Sequence, residues 1–409
     1  MIRGNVMVGQ SGGPTSVINA SLVGVFKTAK DAGCKVVYGM RNGIEGLLQE
    51  RYIDISDYIK NDLDIELLKR TPSSFLGTCR FKMPHADKAP ELYDKVFEIL
   101  NRLEVKYFFY IGGNDSMDTI MQLSEYAKKI NSDICFMGVP KTIDNDLDVT
   151  DHTPGYGSAA KYIASTMKEI IRDAKTYPND SITIVEIMGR NAGWLTAASA
   201  LSRAEDCDGP DLIYLPEVVF DYDKFLEQIK EKKKTHRAVI VAVSEGIKTA
   251  DGRYVCEANK NTTLVDSFGH KALGGTALYL SDFLTDQLGI KCRGIVLATL
   301  QRCASHLVSR RDITEAFMAG ADALQAALRG ETGKMIIFKR LSNNPYSIVT
   351  EIVDIRLVAN KEKCVPLDWI INDGTYVSEE FDTYARPLII GELSPFMVDG
   401  LPRHLYIDK

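Results

Sequence analysis

The feature that most constrains this chain is a repeated alternation of short β-branched or aromatic runs with longer stretches of helical periodicity. Residues 5–9 read as a strand and 17–32 as a helix; strands at 35–38, 105–111 and 134–139 follow, with a helix at 116–130. A second series then begins, in which helices at 156–174, 191–202 and 222–234 alternate with strands at 181–187, 211–215 and 238–244. The runs Tyr107-Phe108-Phe109-Tyr110-Ile111 and Ala238-Val239-Ile240-Val241-Ala242-Val243 are apolar at both parities, as strands are when helices cover both faces of a sheet. The pattern predicts an α/β protein with two doubly wound series of parallel strands. From Pro345 onward it changes to an added strand at 348–354 and a tail punctuated by Pro and Gly.

The 409 residues, 45% hydrophobic and 25% charged, suffice for two or three domains at about 100–200 residues each. A net charge of −6 argues against polyanion binding, and the longest basic run, Lys232-Lys233-Lys234, sits beside Glu227 and Glu231 on an expected helix. No nucleic-acid partner is expected. No apolar run reaches the roughly 18 residues of a membrane span, and the N-terminal residues enter a strand instead of a charged-then-apolar signal. The expectation is a cytoplasmic protein with no membrane partner. The eight cysteines occur singly, without a C-x-x-C pair, and the histidines show no metal-like spacing, so neither a disulfide framework nor a zinc site is signalled.

In doubly wound sheets ligands bind beyond the carboxyl ends of the strands, which directs attention to three loops. Gly9-Gln10-Ser11-Gly12-Gly13-Pro14-Thr15-Ser16 follows the first strand, and its glycines allow backbone N–H groups to approach an anion; a tight strand-to-helix turn explains it equally. No Walker A pattern occurs. Gly155-Tyr156-Gly157-Ser158-Ala159-Ala160 matches a dinucleotide fingerprint in letters, but it follows His152-Thr153-Pro154 and not a strand, so a glycine-eased helix entry accounts for it better. Gly112-Gly113-Asn114-Asp115-Ser116 ends the most apolar strand; it suits phosphate and Mg²⁺, or Asp115-Ser116 is a helix cap. The third loop, Pro140-Lys141-Thr142-Ile143-Asp144-Asn145-Asp146, crowds five polar side chains into six positions after the proline. A calcium loop fails here, because its sixth position is Val149 and its twelfth Gly155. A carboxylate able to take a hydroxyl proton, beside a lysine able to stabilise a moving phosphoryl group, fits phosphoryl transfer.

These loops, together with Met188-Gly189-Arg190-Asn191-Ala192-Gly193-Trp194, Ser244-Glu245-Gly246 and the stretch from Arg293 to Arg302, resemble the 6-phosphofructokinase family. The resemblance implies two Rossmann-like domains with the active site in the cleft between them. It places 1–155 with about 300–345 in a phosphoryl-donor domain, 156–299 in a sugar-phosphate domain and 346–409 in a C-terminal extension. Asp144 matches the base that deprotonates the sugar 1-hydroxyl, with Thr142 and Asp146 orienting substrate or metal. Met188, Gly189, Arg190 and Glu245 match sugar-phosphate contacts, Arg293 and Arg302 the 6-phosphate clamp, and Arg80 an arginine that reaches the donor; Gly12 and Gly13 line the donor loop. Thr299 stands where bacterial ATP enzymes carry a histidine, and Ser181 where they supply an arginine across a subunit interface.

Two positions bear on the donor. ATP-using members have glycine at the places of Asp115 and Lys141, and pyrophosphate-using members resemble this chain at both. A carboxylate at 115 repels the α-phosphate of a nucleotide, while Lys141 adds charge stabilisation at the transferred group. The implied donor is therefore pyrophosphate, the acceptor fructose 6-phosphate and the metal Mg²⁺, near Asn114 and Asp115, in a homo-oligomer (dimer or tetramer). Asn114 replaces the first acid of a Gly-Gly-Asp-Asp pattern. Val23 replaces an effector-site arginine, which implies weak nucleotide regulation. The alternatives are ATP as donor and a non-catalytic sugar-phosphate sensor; a sensor is expected to have lost the base or the donor loop, yet Asp144 and Lys141 are both present.

Overall fold

The computed structural model describes residues 3–258 and 273–407. Among these, the apolar runs become β1 (Asn5–Gln10), β2 (Val37–Met40), β3 (Tyr52–Asp54), β4 (Val105–Gly112), β5 (Cys135–Pro140), β6 (Ser181–Ile187), β7 (Leu212–Tyr214), β8 (Ala238–Ser244), β9 (Lys291–Val296), β10 (Lys334–Asn343) and β11 (Tyr346–Asp354). They assemble into two main sheets, ordered β11-β10-β5-β4-β1-β2-β3 and β7-β8-β6-β9. The second is wholly parallel; the first is parallel from β10 to β2 and carries an antiparallel strand at each edge.

Both faces of β4 are buried, which is why its sequence does not alternate with polar residues. Phe108 and Tyr110 join Met7, Phe136 and Met335 in one core, while Phe109 and Ile111 join Val6, Val8, Met137 and Val139 in the other. The second sheet divides in the same way, with Val185, Ile187 and Ile240 on one face and Ile182, Ile184 and Val239 on the other. Each such side chain contributes about 1.5–3 kcal/mol on full burial.

The structure departs from the sequence expectations in one helix. Residues 191–202 are not one helix: Asn191 remains in the loop, and only Trp194–Ala197, continued by the tighter turn Ala198–Ser202, is helical. The Glu217 carboxylate causes this by accepting from Gly193 N–H (2.8 Å) and Val365 N–H (2.9 Å), which fixes the chain ahead of the helix. The strand expected at 348–354 forms as β11, the antiparallel edge of the first sheet, paired with β10 at 334–343, which no periodicity in the sequence marks. The rest of the tail is divided between the two halves: Val358 and Ala359 enter a core of the first sheet, and Val365, Phe381 and Leu388 a core of the second.

The Gly155-to-Ala160 match is indeed a helix entry. Its N–H groups already have an anion, because Asp312 accepts from Gly155 (2.9 Å) and Ser158 (2.8 Å) at the start of helix Tyr156–Ala174. Likewise Val23 is fully buried, and Lys27 pairs with Asp31 at 3.0 Å. No helix of the described residues is long and apolar enough to cross a membrane.

Helix Arg310–Leu328 packs on helix Ile18–Asp31 beside the first sheet. The two approach so closely that a Cβ on Gly24 would lie 2.2 Å from the Phe317 carbonyl oxygen, and one on Gly320 2.0 Å from that of Ser21. Gly320→Ala is therefore expected to destabilise the protein by about 1–3 kcal/mol through overpacking, read as a lower denaturation midpoint; an unchanged midpoint would show that the helices can part without loss.

Candidate active site

In the first sheet β1 lies between β2 and β4, so the chain crosses to opposite sides of β1, and the loops after β1 and β4 flank a topological switch point. In the second sheet β6 has the same position between β8 and β9. The loops at these carboxyl ends face one another across a cavity of about 570 Å³.

The first loop turns at Gly12, whose φ of +76° lies in the left-handed region that glycine enters freely. Its carbonyl accepts from Thr78 Oγ1 (2.7 Å). Lys141, 2% exposed, extends under this loop, and its Nζ donates to the Gly13 carbonyl at 2.7 Å. Behind it, Lys141 N–H donates to the Gly112 carbonyl (3.0 Å), so the loops after β1, β4 and β5 are joined through one residue. Asp144 N–H donates to Thr142 Oγ1 (3.1 Å), and the fully buried Asn145 accepts from Thr153 N–H (3.1 Å).

After β4, Gly113 is the helix cap, with no side-chain cap bond. Asp115-Ser116 is thus not the cap; Asp115 stands in the first turn, 3.6 Å from Lys82 Nζ. Asn114 Oδ1 is buried without a hydrogen-bond partner. Across the cavity, Gly189 N–H donates to Glu245 Oε1 (3.4 Å), Ser244 Oγ to the Gly189 carbonyl (2.6 Å), and Met188 N–H to Gln301 Oε1 (3.1 Å).

The cavity brings together Gly12, Gly13, Arg80, Asn114, Asp115, Lys141, Thr142, Asp144, Asp146, Met188, Arg190, Glu245 and Arg302. Gly189 does not line it but is bonded to Glu245, which does. Two expected residues are not brought in. Arg293 sits mid-strand on β9 in a separate surface hollow with Tyr177 and Ser181, 3.7 Å from Asp173, and Thr299 is exposed ahead of the helix Leu300–Cys303. A strand side chain well before the carboxyl end of β9 cannot reach loops at that end. The wall also includes Asn191, Asn360 and Glu362, which no sequence motif assigns to the site. Asn191 Nδ2 donates to Glu362 Oε1 (2.9 Å) and Asn360 Nδ2 to Asp118 Oδ1 (3.1 Å).

Cations and carboxylates are interleaved along the lining of this cavity. Burial pushes the Asp144 carboxyl up to about 7; Asp146 adds to the rise while Lys141 opposes it. Burial likewise brings the Lys141 ammonium down to about 8 against the attraction of Asp144 and Asp146, and lifts Glu245 to about 7, with Asp144 adding. Burial, then the neighbouring Arg80, lowers the affinity of Arg302 for its proton. Such a site offers a carboxylate poised near neutrality to take a proton and a set of cations suited to phosphate groups.

A profile of the family described as Phosphofructokinase matches residues 5–327. The chain belongs to the phosphofructokinase family. It is 39% identical over 409 residues to a pyrophosphate–fructose 6-phosphate 1-phosphotransferase of Methylococcus capsulatus, covering 99% of this chain and 96% of the relative. It is 38% identical to the protein of that name from Halomonas elongata, covering 98% and 96%. The crystal structure of a pyrophosphate-dependent phosphofructokinase from Nitrosospira multiformis superposes with a TM-score of 0.88 at 35% identity, covering 98% of this chain and 95% of that one.

For a phosphofructokinase in which Asp144 accepts a proton and Lys141 keeps its own, the rate falls as pH drops below about 7, where Asp144 protonates. It falls again as pH rises above about 8, where Lys141 loses its charge. A bell-shaped kcat/KM profile with limbs near those values is expected; a curve level through both would contradict this pairing of roles.

Proposed function

We propose that this phosphofructokinase transfers a phosphoryl group from pyrophosphate to the 1-hydroxyl of fructose 6-phosphate, reversibly, giving fructose 1,6-bisphosphate and phosphate as a cytoplasmic enzyme of glycolysis. The observation that carries this reading is the placement of Lys141, Asp144 and Asp115 on one cavity wall, with close relatives of that name over nearly the whole chain.

Asp144 is the base: its carboxylate takes the proton of the 1-hydroxyl as the oxygen attacks the terminal phosphorus of the donor. Lys141, held by the Gly13 carbonyl, stabilises the charge on the transferred group, and Arg80 receives the donor phosphates. Thr142 and Asp146 orient the acceptor, while Met188, Arg190, Glu245 and Arg302 hold the sugar phosphate. Arg293 lies outside the cavity of its own chain, so a role on the 6-phosphate requires a second copy, in keeping with a homo-oligomer.

For Mg²⁺ the residues fit in part. Among the described residues no group of three or more His, Cys, Asp or Glu converges, but the unpartnered Oδ1 of Asn114 lies beside Asp115 on the cavity wall. These two would hold the ion, with phosphate oxygens and water completing its shell. When bound, it neutralises charge on the donor phosphates.

Asp144→Asn keeps the shape of the side chain and should lower kcat roughly 10²–10⁴-fold with a smaller change in sugar-phosphate KM. Turnover above about a third of wild type, against that expectation, would remove Asp144 from the role.

Donor choice is tested at Asp115. Asp115→Gly should permit measurable ATP use while pyrophosphate turnover falls, and adding Lys141→Gly should lower pyrophosphate turnover further, by about 10²-fold. If the unmodified protein uses ATP as well as pyrophosphate at equal concentration, there is no exclusion for Asp115 to explain.

A further inference from the structure

The loop that carries Asp144 is anchored by the C-terminal tail. Asn145, next to Asp144, has a left-handed backbone with φ +56°, a conformation that persists in a side-chain-bearing residue when its surroundings hold it. Both ends of its carboxamide are engaged: Oδ1 accepts from Thr153 N–H (3.1 Å), and Nδ2 donates to the Tyr384 hydroxyl (2.7 Å). That hydroxyl in turn donates to the Asp151 carbonyl (2.7 Å), so it spans the two ends of the 145–151 segment. The Tyr384 ring is fixed independently, with its centroid 5.2 Å from that of Trp194 and 5.7 Å from that of Trp369, and with the Arg340 guanidinium 4.7 Å over it. A rigid ring thus presents one hydroxyl to the residue beside the base.

We propose that Tyr384 is a positioning residue for phosphoryl transfer, acting through Asn145 to fix the direction of the Asp144 carboxylate. The inference rests on the reading of Asp144 as the base. Without the hydroxyl, Asn145 Nδ2 loses its partner and the left-handed turn loses one of its two side-chain anchors. The ring packing and both hydrophobic cores remain. Small displacements of a reacting group reduce rate more than affinity, so the effect belongs in kcat.

The test is Tyr384→Phe, assayed with pyrophosphate, fructose 6-phosphate and Mg²⁺, beside Tyr346→Phe as a control. Tyr346 also gives a hydroxyl to a buried partner, Glu315 Oε1 (2.8 Å), and is linked to Asp151 only through the intervening side chains of Glu315, His152 and Arg340. The expected result is a fall in kcat of about tenfold for Tyr384→Phe, with both KM values within about threefold of wild type, and an unchanged kcat for Tyr346→Phe. In an Asp144→Asn background Tyr384→Phe should cause no further loss, since the two act in series. Asn145→Ser breaks the same contact from the other side and should reproduce the fall, even if Tyr384→Phe fails to fold. Wild-type kcat in Tyr384→Phe, an equal fall in Tyr346→Phe, or a full additional loss on Asp144→Asn would each overturn the inference. Full turnover in Asp144→Asn alone would overturn the base reading instead.

Discussion

The contact on which the cleft depends is that of the buried Lys141 ammonium with the Gly13 carbonyl. An ammonium taken out of water is stable only if carbonyls and carboxylates replace its hydration. Here Gly13 supplies a carbonyl, and Asp144 and Asp146 supply opposing charge. The requirement reaches back into the first loop, where Gly12 must turn through the left-handed region to bring that carbonyl over the lysine. The strand order makes the contact possible, since β1, β4 and β5 lie in one run of the sheet and their three loops end near one another.

What was legible in the sequence follows from how local each signal is. Helix Tyr156–Ala174 and strands β6 and β8 have the bounds that periodicity gave them, because continuous apolar runs and a glycine at the helix entry are local facts. Strand β10 was not legible: its first half, Met335–Phe338, is buried, but its second half projects as an exposed hairpin with polar residues, and pairing with β5 is settled by tertiary contact. The apolar residues of 191–202 read as one helix since nothing nearby in sequence announces Glu217, whose carboxylate holds Gly193.

The site divides along the same line. Loops after strands carried their chemistry openly, and most of the residues nominated from them share the cavity. Asn360 and Glu362 are not legible in the sequence because they come from a segment more than two hundred residues beyond Asp144, with no periodicity or motif. Their position follows from the tail's route from the first core at Ala359 to the second at Val365. On that route Lys363 donates its backbone N–H to the Asp146 carbonyl (2.8 Å) and its Nζ to the carbonyls of Thr150 (3.0 Å) and Asp151 (2.7 Å). The crossing segment therefore clamps the far end of the Asp144 loop while it ties the two halves together.

A short inorganic donor gives an enzyme few places to bind away from the reacting phosphorus. A nucleotide offers a base and a sugar whose remote contacts help to orient the transferred group; pyrophosphate does not, so in the proposed reading orientation and charge stabilisation have to come from groups at the reaction centre itself. The cleft has the composition that this demands: Lys141, Arg80, Arg190 and Arg302 stand among Asp115, Asp144, Asp146 and Glu245. Burial brings Asp144 up to about 7 and Lys141 down to about 8, and the attraction between the two opposes both shifts. Such a balance is sensitive to displacement, since a carboxylate that moves away from its cation loses both its direction and its charge state. That sensitivity gives a physical reason for the Asp144 loop to be held from the tail by Lys363 and Tyr384 as well as by its own strand.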